Sequence, residues 1–76
     1  MGFIANRTHD DKLLESGWIS LNDKRPKDYT NVYLRCNYMM DDFVTIGQIA
    51  GDSRISSDCD PDIFFRSAIL SWKPLD

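Results

Sequence analysis

Val32-Tyr33-Leu34-Arg35-Cys36-Asn37-Tyr38 is the stretch whose reading decides the fold. Val32, Leu34, Cys36 and Tyr38 fall on one side of an extended chain, with Tyr33, Arg35 and Asn37 on the other. That two-residue period is the mark of a half-buried strand. Met39 to Asp42 has turn character, and residues 43–50, with β-branched Val44, Thr45 and Ile46, read as the return strand. Residues 32–50 are therefore a predicted β-hairpin, in which Gly47 marks a bulge or a close backbone approach.

Two tryptophan segments lie outward of this hairpin. Residues 18–21 read as extended and residues 22–26 as a turn, because Asn22 and Asp23 bond locally to backbone and the residue before Pro26 avoids the helical region. Residues 51–62, polar and punctuated by Gly, Ser, Asp and Pro61, read as irregular. A last strand is expected from Ile63 or Phe64 to Trp72, with a break near Arg66 and Ser67, and Pro74 stops it. Thr8 followed by Asp11 resembles a capping box and Gly17 suits a left-handed helix end, so a two-turn helix is expected over residues 9–16. Residues 1–7 are expected to form a flexible arm.

The expected architecture is a single domain, 1–76, of the α+β class weighted toward β: a small antiparallel sheet of about three strands with one short N-terminal helix. Trp18, Val32, Leu34 and Trp72 are expected to share its core. A chain of 76 residues buries little surface, and its stability falls toward the low end of about 5–15 kcal/mol. So small a core leaves little room for buried catalytic machinery. The expectation is a protein that is not an enzyme and carries no cofactor.

The remaining chemistry-bearing residues fit that expectation. Asp58, Asp60 and Asp62 are spaced like the start of a calcium loop, but the sixth and twelfth positions hold Ile63 and Ile69 instead of Gly and Glu, which favours a solvated acidic loop. Cys36, Cys59 and His9 are too few and too scattered for a structural zinc site. A nucleophilic Cys36 would need a base, and the single histidine sits at the predicted helix start. With no export signal or apolar stretch of membrane-spanning length, the expected setting is intracellular, with both thiols reduced and no membrane contact.

Net charge is −3 and unevenly placed, with six basic and five acidic residues in 1–38 against three and seven in 39–76. An acidic half argues against direct nucleic-acid binding, which needs clustered Lys and Arg. Lys24, Arg25 and Lys27 form a basic cluster, but Asp23 and Asp28 bracket it, and a solvated turn is the preferred reading. At the hairpin tip, Tyr38, Met39, Met40, Asp41, Asp42 and Phe43 set methionine and aromatic side chains beside carboxylates. Protein-binding surfaces have this composition. The same Met39, Met40 and Phe43 also suit core packing over the sheet edge.

The two tryptophan segments carry a resemblance. Trp18, Ile19, Ser20, Asp23 and Pro26, the strand Val32 to Cys36, and Trp72, Pro74 and Leu75 resemble, in order, the Trp-Ile-Ser opening, Val-rich strand and Trp-x-Pro-Leu ending of the phage and prophage family called domain of unknown function 551. Ser71, Lys73 and Asp76 depart from that family's His, Met and Pro. The resemblance implies a small phage or prophage protein acting in the cytoplasm of a bacterial host. By analogy with other small phage proteins, the expected function is a non-enzymatic protein-binding module that blocks a host or defence protein. The alternative is a self-associating virion or structural accessory protein, pairing through a sheet edge.

Overall fold

The computed structural model describes residues 10–56 and 58–75. The hairpin is there, and it is the centre of a larger sheet than expected. Strands β1 (Ile19–Ser20), β2 (Val32–Tyr38), β3 (Asp41–Ala50), β4 (Ser53–Ser56) and β5 (Ala68–Pro74) form one antiparallel sheet in the order β1-β5-β2-β3-β4. Among the described residues one α-helix occurs, the six-residue α1 (Pro61–Arg66), which precedes β5.

This corrects the three-stranded α+β expectation: the protein is mostly β, with five strands. β4 escaped the sequence because Ser-Arg-Ile-Ser holds one apolar residue and shows no alternation. It forms because Gly51, at φ 58°, turns the chain back onto β3, with Ala50 opposite Ser53. β1 is two residues long, and its pairing of Ile19 with Trp72 and Ser20 with Ser71 sets it at the sheet edge.

The helix is also displaced from its expected place. Residues 10–14 form a 3-10 turn instead of an α-helix, and His9, Thr8 and the expected arm lie outside the described residues. The α-helix occurs where irregular chain and the start of a strand were expected. Asp60 is its N-cap, its Oδ1 accepting from the backbone N–H of Asp62 at 2.9 Å and of Ile63 at 3.4 Å. Pro61 occupies the first turn, where its missing N–H and fixed φ cost nothing. An Asp-Pro pair that reads as an interruption of a loop is here a helix start. Asp60→Ala is expected to destabilise the fold by about 1 kcal/mol, measured as a shift in denaturant midpoint at constant slope.

One face of the sheet carries the core: Val32, Leu34 and Cys36 of β2, Phe43 and Ile49 of β3 and Trp72 of β5, covered by Cys59 and by Phe64 of α1. β5 contributes both Ile69 and Trp72 to this side, a spacing that a regular strand forbids. A bulge solves it: Arg35 faces Ser71 while Cys36 faces Ile69, leaving Leu70 as the extra residue, exposed to solvent.

Trp18 does not join this core. Ile19 pairs with Trp72 on the core side, so the residue before it points to the opposite face. There the half-buried Trp18 indole donates to the Lys12 carbonyl at 3.1 Å beneath the Lys73 ammonium, 5.1 Å from the ring centre. Trp72 instead donates its indole N–H to the Lys24 carbonyl at 2.8 Å, anchoring the turn after β1 over the core. The opposite face is covered too: Val44, opposite Arg35, is fully buried, and the 3-10 turn packs on β3. Among the described residues no helix is long and apolar enough to cross a membrane.

Candidate functional site

The β2–β3 register closes with Tyr38 opposite Asp41, leaving Met39 and Met40 as a two-residue hairpin turn. Both have positive φ, 52° and 65°. A two-residue turn of this kind matches the twist of the flanking strands, and it favours Asn-Gly because a Cβ is strained at both positions. Methionine at both is unusual. The side chains project into solvent, Met39 67% and Met40 96% exposed.

The other expected tip residues divide differently. Phe43 is fully buried opposite Cys36 and belongs to the core, and Tyr38 is half-buried against it. Asp42 is occupied by the fold: its Oδ1 accepts from Asn37 Nδ2 at 2.6 Å, and its Oδ2 faces the Arg35 guanidinium at 3.4 Å. Asn37 sits directly across the ladder, so the carboxylate latches the last rungs of the hairpin. Asp41 is half-buried. The solvent-facing tip thus reduces to two methionines on a braced hairpin. Alternation is what separates them: Phe43 falls on the side of Cys36, whereas the turn residues fall on neither side.

The candidate chemistry elsewhere is structural. Burial pushes the Cys36 thiol up to about 12, opposed in part by the neighbouring Ser67 side chain, so at neutral pH it is a protonated core group and no nucleophile. Cys59 is likewise raised by burial, and both cysteines are free. Asp60 caps α1, and Asp62 meets Arg66 at 3.5 Å. Among the described residues no group of His, Cys, Asp and Glu is arranged to hold a metal ion. Glu15 lies between Lys73 and Lys12, whose hydrogen bonds lower its pKa, that from Lys73 more strongly.

The basic turn separates as well. Lys24 and Lys27 are solvated, while Arg25 crosses to the Gly51 carbonyl at 2.9 Å, 26 residues away. Its side chain borders a groove of about 360 Å³ over the core-side residues Leu21, Ile49 and Ile69, closed by Arg54 and Phe65. Sequence reasoning missed Arg54, Ile55 and Phe65 altogether. Ile55 fell in the stretch read as irregular, Phe65 in the expected last strand, and Arg54 showed only as one charge in a polar segment. No family model matches the chain, and no curated protein and no solved structure matches it.

Proposed function

We propose that this chain is a non-enzymatic protein-binding module that docks a partner through the Met39–Met40 turn. The observation that carries the reading is two adjacent methionines in left-handed backbone with their side chains in water. Left-handed backbone costs an ordinary L-residue about 1–2 kcal/mol. A turn selected for folding alone holds Asn-Gly there; one selected for contact keeps flexible, polarizable apolar side chains and accepts the strain. The Asp42 latch holds the turn rigid, which reduces the ordering cost of binding. The phage-type resemblance of the tryptophan segments supports a host or phage protein in the bacterial cytoplasm as the partner, with blockade of that protein as the outcome.

Met39→Asn combined with Met40→Gly separates folding from binding. The double variant is expected to gain about 1–2 kcal/mol of stability by relief of backbone strain and to lose at least tenfold in affinity for the partner captured from bacterial lysate by folded wild-type bait. Thermal melting and titration calorimetry give the two readings. A variant that gains stability and binds as well as the parent removes the tip from the interface. Failure of the folded parent to capture any stoichiometric partner overturns the reading itself.

A further inference from the structure

A second surface, independent of the methionine tip, lies at the far side of the sheet. β4 bonds to β3 along one edge, and no described strand pairs with its other edge. Natural sheets guard such edges with outward charges, prolines or bulges, since an open row of N–H and C=O groups accepts another strand. β4 is guarded by its length of four residues and by an inward-pointing charge, but it carries no proline and no outward charge. Its charged residue, Arg54, turns inward, where its guanidinium stacks 5.6 Å from the Phe64 ring centre and donates to the Phe65 carbonyl. What faces solvent is apolar: Ile55 is 59% and Phe65 75% exposed.

Phe65 and Arg54 are shared walls of two neighbouring concavities. One is the Arg25 groove; the other, about 320 Å³, lies between β4 and α1 and is lined by Ile55, Pro61 and Phe64. Each is near the lower bound of about 300 Å³ for ligand pockets, a size suited to one or two apolar side chains. The charge of this surface is two arginines to one carboxylate, since exposed Asp52 lines the Arg25 groove beside Arg25 and Arg54. Lys12, Arg35, Arg66 and Lys73 all meet carboxylates, whereas among the described residues Arg25 and Arg54 are in no ion pair. Each is steadied by a single backbone carbonyl, which leaves further N–H donors of a planar fork available for a carboxylate.

We propose that the outer edge of β4, with the two concavities flanking Phe65, receives an extended segment of a partner protein in which carboxylates alternate with apolar side chains. Backbone pairing to β4 supplies the register, the carboxylates lie on the Arg54 side of the added strand and meet Arg54 and Arg25, and the apolar residues alternate to the other side, against Ile55. A second copy of this chain is a poor occupant, because its Ser53–Ser56 brings another Arg54 and no carboxylate.

The probe is a fluorescein-labelled peptide, Gly-Glu-Val-Asp-Val-Glu-Val-Gly, beside a version with each acidic residue replaced by Lys. Anisotropy at about 50 mM salt is expected to show the acidic peptide binding at least tenfold more tightly, although the chain is itself net negative. Backbone amide shifts on binding should centre on residues 53–56. Arg25→Gln should weaken binding about three- to tenfold, and Ile55→Lys, which installs an edge guard at an exposed position, should abolish it. Both variants keep the fold because neither touches the core; Arg54→Gln is read only if its melting curve is intact. The Met39→Asn, Met40→Gly variant should bind the peptide unchanged, so this surface stands or falls apart from the tip. Equal binding of the two peptides, shifts centred away from β4, no acidic-peptide binding at millimolar concentration, or binding lost in the tip variant and kept in Ile55→Lys would each overturn the proposal. So would concentration-dependent dimerisation of the free chain by light scattering that Ile55→Lys abolishes.

Discussion

Trp72→Ala is expected to cost about 3–5 kcal/mol, enough to leave a domain this small largely unfolded at room temperature. The indole is 6% exposed, faces Leu34 across β2 and Ile19 across β1, and its N–H holds the Lys24 carbonyl. Truncation therefore opens a cavity between three strands and orphans the anchor of the turn that leads into buried Pro26. Trp18→Ala removes an equally large side chain with a smaller expected cost, about 1–2 kcal/mol, because Trp18 is half-buried on the opposite face against a lysine stem. Urea titration of both variants by far-ultraviolet circular dichroism makes the comparison. Equal losses would contradict the placement of the two indoles on opposite faces.

That placement shows where sequence reading loses its grip. Alternation identified β2 to the residue, since every second residue from Val32 to Cys36 is buried, and β-branched Val44, Thr45 and Ile46 marked nearly all of β3. The same rule fails across a strand gap. Nothing in the sequence tells that Ile19 pairs with Trp72, and a one-residue shift in that register would bring Trp18 inward and turn Trp72's partner around. The bulge at Leu70 is invisible for a related reason: it exists to reconcile Ile69 with Trp72, and that conflict appears only when both are known to face one core. In the case of α1 the signal was present and misjudged, because Asp60-Pro61 is both a loop signature and an N-cap followed by N1.

The candidate site was legible in part for the same physical reasons. The methionines stood out by chemistry, and a two-residue turn between alternating strands fixes them in solvent. Phe43 was assigned with them because the turn was expected to run through Asp42, whereas the ladder continues to Asp41 and carries Phe43 into the core. The β4 surface had no sequence signature. Arg54, Phe65 and Arg25 come from a short strand, a helix and a turn, and what joins them is a pair of backbone carbonyls that no pattern of side chains encodes.

Gly47→Ala is expected to destabilise the protein by about 3 kcal/mol, the upper end of the range for overpacking, because the new methyl group has nowhere to go. A Cβ at position 47 would stand 2.4 Å from the Ile55 carbonyl oxygen and 2.9 Å from Leu34 Cδ1. Leu34 has rotamers to try, but Ile55 offers backbone, so β4 must move off β3. That displacement breaks a hydroxyl junction. Ser56 Oγ donates to the Ile46 carbonyl at 3.1 Å; its one hydrogen being spent, it accepts from Thr45 Oγ1 at 2.6 Å and from the N–H groups of Asp58 and Cys59. Thr45 is fully buried, so losing Ser56 leaves its hydroxyl unsatisfied at a cost of about 1–3 kcal/mol if nothing relaxes. The same junction aims the chain from β4 into the Asp60 cap, so the disturbance should spread to α1 and spare the β1-β5-β2 side. Amide exchange in Gly47→Ala should accordingly lose protection first at residues 53–56 and 61–66, with β2 and β5 opening only on global unfolding. Uniform loss across all five strands would mean that β4 and α1 are inseparable from the core, and unchanged protection would mean that β3 and β4 lie farther apart than the Gly47 contact requires.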